Sequence, residues 1–314
     1  MIDLIIASIL TMLTAATPLV FAATGELICE KSGVLNLGVE GMMLIGAVFG
    51  FAVATFTGSA LIGLLSALLA GMLAALIFAV LTLIFLSNQV ATGLALTIFG
   101  TGLSALVGFD YVGKTIDRLG QIYIPVLSDL PVIGKLLFGN DLLVYLGFVM
   151  LLLTDRFLKK TRWGMILQAV GDSDVSAHAL GYPVVLIRFG AVLYGGMMAG
   201  LAGGYLSLVY TPLWAEQMTA GRGWIALALV VFASWQPWRV MVGAILFGGI
   251  TIVQLNAQAF GLGIPASFLN MLPYLATIVV LVLISKDATK IRLNAPVCLG
   301  KPFRAEREPL KLNP

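Results

Sequence analysis

The sequence predicts an all-α, polytopic membrane protein, and three observations predict it. Hydrophobic residues make up 60% of the 314-residue chain and charged residues only 11%, with a mean hydropathy of +1.04, far outside the range of soluble globular domains. Between Glu40 and Asp110 lie 69 residues without a charge, whereas about 20 apolar residues suffice to cross the hydrocarbon. The Lys and Arg residues gather at the ends of apolar runs and in the C-terminal tail.

Polar breaks at Thr57-Gly58-Ser59 and Ser87-Asn88-Gln89 divide the uncharged stretch into three spans, because backbone at a turn needs water or protein partners. The same reading along the chain gives about nine spans, near residues 3–24, 41–57, 60–86, 89–108, 141–158, 185–209, 223–235, 238–257 and 263–285. The first has no basic flank and exceeds a signal-peptide core, although Val20-Phe21-Ala22-Ala23 faintly resembles a cleavage site; it reads as a retained helix. The whole of 1–314 reads as one transmembrane domain, with a cytoplasmic segment at about 159–184 and a basic tail at 286–314.

With the C-terminus in the cytoplasm, fourteen of the eighteen basic residues fall on the inner side, leaving Lys114, Arg118, Lys135 and Arg222 outside. This positive-inside bias puts the N-terminus outside. The net charge of +3 therefore reflects topology and gives no reason to expect nucleic acid.

Cys29 and Cys298 are the only cysteines and His178 the sole histidine, so neither a metal site nor a histidine-based triad is expected. Residues 108–115, GFDYVGKT, satisfy the P-loop pattern. A P-loop needs a preceding strand and a following helix that cradles phosphate; here the pattern leaves a membrane span, and Asp110 would repel phosphate.

Two internal matches preserve order. Residues 70–76, AGMLAAL, resemble 195–201, GGMMAGL, and residues 93–100, GLALTIFG, resemble 226–233, ALALVVFA, at offsets of 125 and 133. Each matched pair would cross the membrane in opposite directions, as in the inverted repeats of transporters; chance similarity of Leu/Ala-rich helices is the other reading. Gly196, Gly200 and Gly204 form overlapping small-xxx-small patterns for close helix packing.

The segment 158–188 holds a short helix. Gly171 supplies a turn, Asp172, Ser173 and Asp174 offer N-cap oxygens, and Gly181 with Pro183 stops it, past Ala177, Ala179 and Leu180. So short a helix must lie against its own protein or present a small-residue knob to a partner.

At this point a family is legible. AVGDSDVSAHALG at 169–181 resembles the coupling segment of permease subunits of ATP-binding-cassette importers, in the branch that handles branched-chain amino acids, simple sugars and nucleosides. GVLNLGVEGMML at 33–44 resembles the nucleoside and simple-sugar members most, and GRGWIALA at 221–228 with Phe247-Gly248-Gly249 follows in order. The resemblance implies inverted repeats and a coupling helix at Asp172 to Leu180 docking on a separate ATPase. It also implies ATP and Mg²⁺ on that partner with no cofactor here, a second and longer permease subunit, and a substrate-binding protein or lipoprotein. The implied setting is the bacterial cytoplasmic membrane. Ser234-Trp235-Gln236-Pro237-Trp238 departs from the family and reads as an interfacial aromatic belt.

The stretch GELICEKSGVLNLGVEGMML at 25–44 carries Glu26, Glu30, Lys31 and Glu40 between apolar runs. Ionisable groups at membrane depth need water or partners. Glu26 and Glu30 share a helix face at i,i+4 and repel unless something intervenes. Ser32-Gly33, Asn36 and Gly38 imply irregular backbone, so the stretch reads as a broken segment at the central cavity, with Asn36 and Glu40 as candidate pathway residues. The alternative is a cytoplasmic loop whose charges anchor helix ends. Two rival functions remain weaker. An ion-coupled secondary carrier usually needs intramembrane Asp or Glu, and residues 41–109 and 240–285 contain none; a membrane enzyme needs a nucleophile and base that this sequence does not supply.

Overall fold

The computed structural model describes residues 2–117, 120, 139–259, 265, 268–269, 271–285 and 294–304. The helices are α1 (Ile2–Lys31), α2 (Val39–Thr57), α3 (Ala60–Ala79), α4 (Gln89–Gly108), α5 (Leu142–Lys160), α6 (Arg162–Asp172), α7 (Asp174–Ala179), α8 (Val184–Tyr205), α9 (Arg222–Phe232), α10 (Pro237–Ala259) and α11 (Leu272–Ser285). The described residues hold no strand, only an isolated bridge between Thr115 and Leu213.

Among the described residues, six helical stretches rather than nine are long and apolar enough to cross a membrane: Ile6–Lys31, Val39–Thr57, Ala60–Ile84, Gln89–Tyr111, Val184–Tyr210 and Pro237–Gln258. The difference has local causes. α5 is long enough, but Asp155, Arg156, Lys159 and Lys160 load its last turns with charge. α9 has 11 residues and reaches about 16 Å, half of a ~30 Å hydrocarbon layer. The last expected span falls partly outside the described residues, as do residues 286–293 and 305–314 of the tail.

The core forms where α1, α2, α3 and α8 meet. α3 and α8 run antiparallel along a seam of small residues. A Cβ added to Gly71 would lie 2.2 Å from the Gly196 carbonyl oxygen and 2.6 Å from the Gly200 Cα, and one added to Gly196 would lie 2.2 Å from the Ala75 Cβ. Gly204 faces Ala67 in the same way, and a Cβ on Gly46 of α2 would meet Gly200 at 2.5 Å. Backbones approach this closely only where side chains are absent, and in lipid such contact is a principal source of helix association.

The seam is reciprocal. In the 125-residue internal match Gly71 corresponds to Gly196 and Ala75 to Gly200; Gly71 touches Gly200, and Ala75 touches Gly196. A two-fold relation between the halves requires this exchange. α3 and α8 each pass into a five-residue π-helical turn, Val80–Ile84 and Leu206–Tyr210, starting 126 residues apart. The starts of α4 and α9, Gln89 and Arg222, stand 133 apart, the offset of the second match. The inverted repeat is therefore built into the helices as well as the sequence.

Candidate translocation and coupling site

α1 continues through Glu26 and Glu30 to Lys31, past the expected end at residue 24, and then breaks. Gly33 turns the chain at φ +92°, a conformation that costs glycine nothing. The Ser32 hydroxyl donates to the Cys29 carbonyl at 2.6 Å, and the Gly33 amide to that of Glu30 at 2.8 Å. The segment between α1 and α2 then takes its partners from side chains. The Leu35 amide donates to Gln89 Oε1 at 2.9 Å, the Asn36 amide to Glu26 Oε1 at 3.2 Å, and the Gly38 amide to Asn36 Oδ1 at 3.0 Å. The Thr97 hydroxyl donates to the Leu37 carbonyl at 3.0 Å. Irregular backbone persists at membrane depth under such conditions.

α2 begins inside the bundle. A Cβ on Gly41 would lie 2.7 Å from the Thr97 Cα, and one on Gly100 would lie 2.6 Å from the Gly41 carbonyl, placing the start of α2 level with the middle of α4. Here the Glu40 carboxylate, only 6% exposed, accepts from the Thr219 hydroxyl at 2.6 Å, the Gly221 amide at 2.9 Å and the Gly223 amide at 2.6 Å. Gly221 and Gly223 open α9, whose N-terminus has no cap from its own Ncap side chain. Two helix N-termini thus converge on one buried carboxylate, which satisfies orphan amides and sits at the positive ends of both helix dipoles. Asn36 is wholly buried beside this junction.

Glu26 and Glu30 are also buried. The expected intervention between them comes from Asn36, whose amide reaches Glu26, and from Trp235, whose Nε1–H donates to Glu30 Oε2 at 2.5 Å. Lys31 turns away to the Asn294 carbonyl at 2.9 Å. Trp235 therefore departs from the belt reading: it is buried, while Trp238 is 46% exposed. α9 consequently runs from the level of Glu40 to that of Glu30.

Asp172 closes α6 and Ser173 caps α7, its hydroxyl oxygen accepting from the Ser176 amide at 3.3 Å. Gly171 lies within α6 rather than in a turn. Its role is close approach, since an added Cβ would stand 2.1 Å from the Lys31 carbonyl. Asp174 and Ala177 face inward, Asp174 pairing with Arg188 at 3.3 Å, while Asp172, Val175, His178, Ala179 and Leu180 face out. Gly181, at φ +87°, ends the helix. At residues 108–115 the chain leaves α4 through a single 3₁₀ turn, Phe109–Tyr111, and then bends at Gly113; a helix stands where a phosphate loop has its strand, and residues 114–117 are not helical. Sequence reasoning does not single out Arg188 or Thr219, and it places Trp235 in an interfacial belt rather than against Glu30. Arg188 carries a signal in the sequence, being a charge one turn inside an apolar helix.

Discontinuous helices meeting inside an inverted-repeat bundle, with an exposed short helix at one end, define a membrane transport permease. A family model described as the permease component of a branched-chain amino acid transport system matches residues 8–284, and the chain belongs to that family. It is 40% identical over 316 residues to a putative glucose ABC transporter permease protein of Haloferax volcanii, covering 94% of this chain and 96% of the relative. It is 33% identical to a nucleoside ABC transporter permease protein of Lactococcus lactis, covering 87% and 90%. Over 93% and 94% it is 30% identical to a guanosine ABC transporter permease protein of Bacillus subtilis. No solved structure matches the chain.

Proposed function

We propose that this permease imports nucleosides, or simple sugars of similar polarity, across the cytoplasmic membrane, driven by a separate ATPase that binds ATP and Mg²⁺. In this reading the N-terminus is outside and the C-terminus in the cytoplasm, a second permease subunit completes the channel, and a binding protein delivers the solute. The observation that carries it is the convergence of α2 and α9 on Glu40, the broken-helix geometry that transporters use for solute passage. In this reading the pathway opens at this junction, and Asn36 and Glu40, both buried in the present conformation, reach its wall when α2 and α9 part. α7 and its flanks present Asp172, Val175, Ala179 and Leu180 to the ATPase, while Gly171, Ser173, Asp174, Ala177 and Gly181 shape and seat the helix. The glucose permease among the relatives favours hexoses as a second substrate class.

Uptake of labelled adenosine and glucose in cells expressing the complete set tests the reading, comparing a catalytically dead ATPase with a protonophore at constant ATP. Loss of uptake with the dead ATPase alone supports it. Loss with the protonophore alone replaces it with an ion-coupled carrier. Asn36→Leu, with complex assembly verified, should impair uptake; unchanged transport removes Asn36 from the pathway.

A further inference from the structure

Arg188 stands in the second turn of α8 with no exposed surface, and three parts of the chain distant in sequence meet on its guanidinium. Nη2 donates to Asp174 Oδ2 at 3.3 Å, Nε to the Ser32 carbonyl at 3.1 Å, and Nη1 to the Lys301 carbonyl at 3.3 Å. The first belongs to α7, the second to the break between α1 and α2, the third to the C-terminal segment.

That C-terminal segment, residues 294–304, closes a ring around the same point. The Gly300 amide donates to the Gly33 carbonyl at 3.1 Å and the Cys298 amide to the Gly171 carbonyl at 2.9 Å. Lys31 Nζ holds the Asn294 carbonyl at 2.9 Å, and the Phe303 ring meets His178 edge-on with centroids 5.4 Å apart. α7 itself has little apolar anchorage. Val170, Ala177 and Val184 form a cluster separate from the main core, with Ile187 packed against both. The coupling helix is therefore a small module joined to the bundle through a buried polar hub.

We infer that Arg188, clamped by residues 294–304, is the positioning residue through which a displacement of α7 reaches the Glu40 junction. This rests on the proposed docking of an ATPase at α7. A planar guanidinium keeps its acceptors in fixed relation, and a buried charge does not part from its partner without leaving an uncompensated ion. Movement of Asp174 thus carries the Ser32 carbonyl with it. From Ser32 to Glu40 the chain has no slack, because Leu35, Asn36, Leu37 and Gly38 are each pinned by hydrogen bonds. Glu40 then transmits the shift to the start of α9.

The test uses the complete permease–ATPase complex with its binding protein in proteoliposomes, measuring ATP hydrolysed per solute imported. Asp174→Glu and Arg188→Lys, which keep both buried charges but change the geometry of the pair, should leave the complex assembled yet raise this ratio by about fivefold or more, the low end of coupling between linked sites. Phe303→Ala, which loosens the clamp without touching the ion pair, should raise it less. If Arg188→Lys does not assemble, the charge-conserving Asp174→Glu decides. A ratio that stays at the wild-type value, whether uptake is intact or falls in step with hydrolysis, overturns the inference and leaves Arg188 a packing residue. A wild-type complex without ATP-driven uptake overturns the functional proposal and this inference together.

Discussion

The Glu40 carboxylate and the Gly223 amide meet at 2.6 Å, joining the first turns of α2 and α9 in the interior of the bundle. A Cβ on Gly223 would lie 2.6 Å from both the Glu40 Cα and N, so the contact requires glycine on one side and a carboxylate on the other. Its two oxygens accept from three donors, and each oxygen faces a backbone N–H, of Gly221 or of Gly223, that cannot act as an acceptor.

Glu40→Gln should therefore destabilise the protein, because one oxygen becomes an amide NH₂ facing an N–H. The cost is about 1–3 kcal/mol, that of a buried polar group left without its partner. It is read as a lower midpoint of thermal unfolding in detergent together with reduced uptake. A wild-type midpoint would show that the junction does not hold α9.

Replacement of Gly71 or Gly200 by Ala should each cost about 1–3 kcal/mol or more, since the new methyl meets backbone along the seam. Gly102→Ala in α4 is the control. Its Cβ would meet nothing within 4 Å, so the change is neutral or stabilising by up to about 1 kcal/mol through helix propensity. Equal effects at the three positions would refute the seam.

Trp235→Phe removes the donor to Glu30 while keeping an aromatic ring. It should cost about 1–3 kcal/mol, and the loss should shrink when Glu30 is already Gln. A double-mutant cycle on thermal stability measures that coupling directly, and additive effects would mean the two side chains do not interact.

Leu180, 78% exposed at the end of α7, offers a test of docking that leaves the fold alone. Leu180→Asp should change stability by less than about 0.5 kcal/mol, as exposed positions usually do. Co-purification of the ATPase should nevertheless fall at least about tenfold. Full recovery of the complex would place the docking surface elsewhere.

The helix-forming regions and the internal repeat were legible because apolar length and small-residue spacing are local properties. The end of α1 was not. Glu26 and Glu30 look like a reason to stop a membrane helix near residue 24, and only the Trp235 indole and the Asn36 amide, 205 and 10 residues away from their respective partners, make continuation tolerable. Gly171 shows the same gap. A glycine beside Asp-Ser-Asp reads as a turn, yet it sits in a helix because the Lys31 carbonyl passes too close for any side chain.

Composition and charge placement by themselves determined a helical membrane protein, the repeat offsets pointed to inverted halves, and the stretches at 33–44, 169–181 and 221–228 carried its resemblance to importer permeases with a short helix at about Asp172 to Leu180. Only the tertiary structure decided that α9 is a half-length helix whose first turn rests on Glu40 of α2, and that Arg188 ties α7 to the break after α1. The physical reason is that burial in lipid is set by hydropathy summed over neighbouring residues, which a sequence displays. The pairing of buried polar groups depends on which distant donors arrive within about 3 Å, and that is a property of the packed chain.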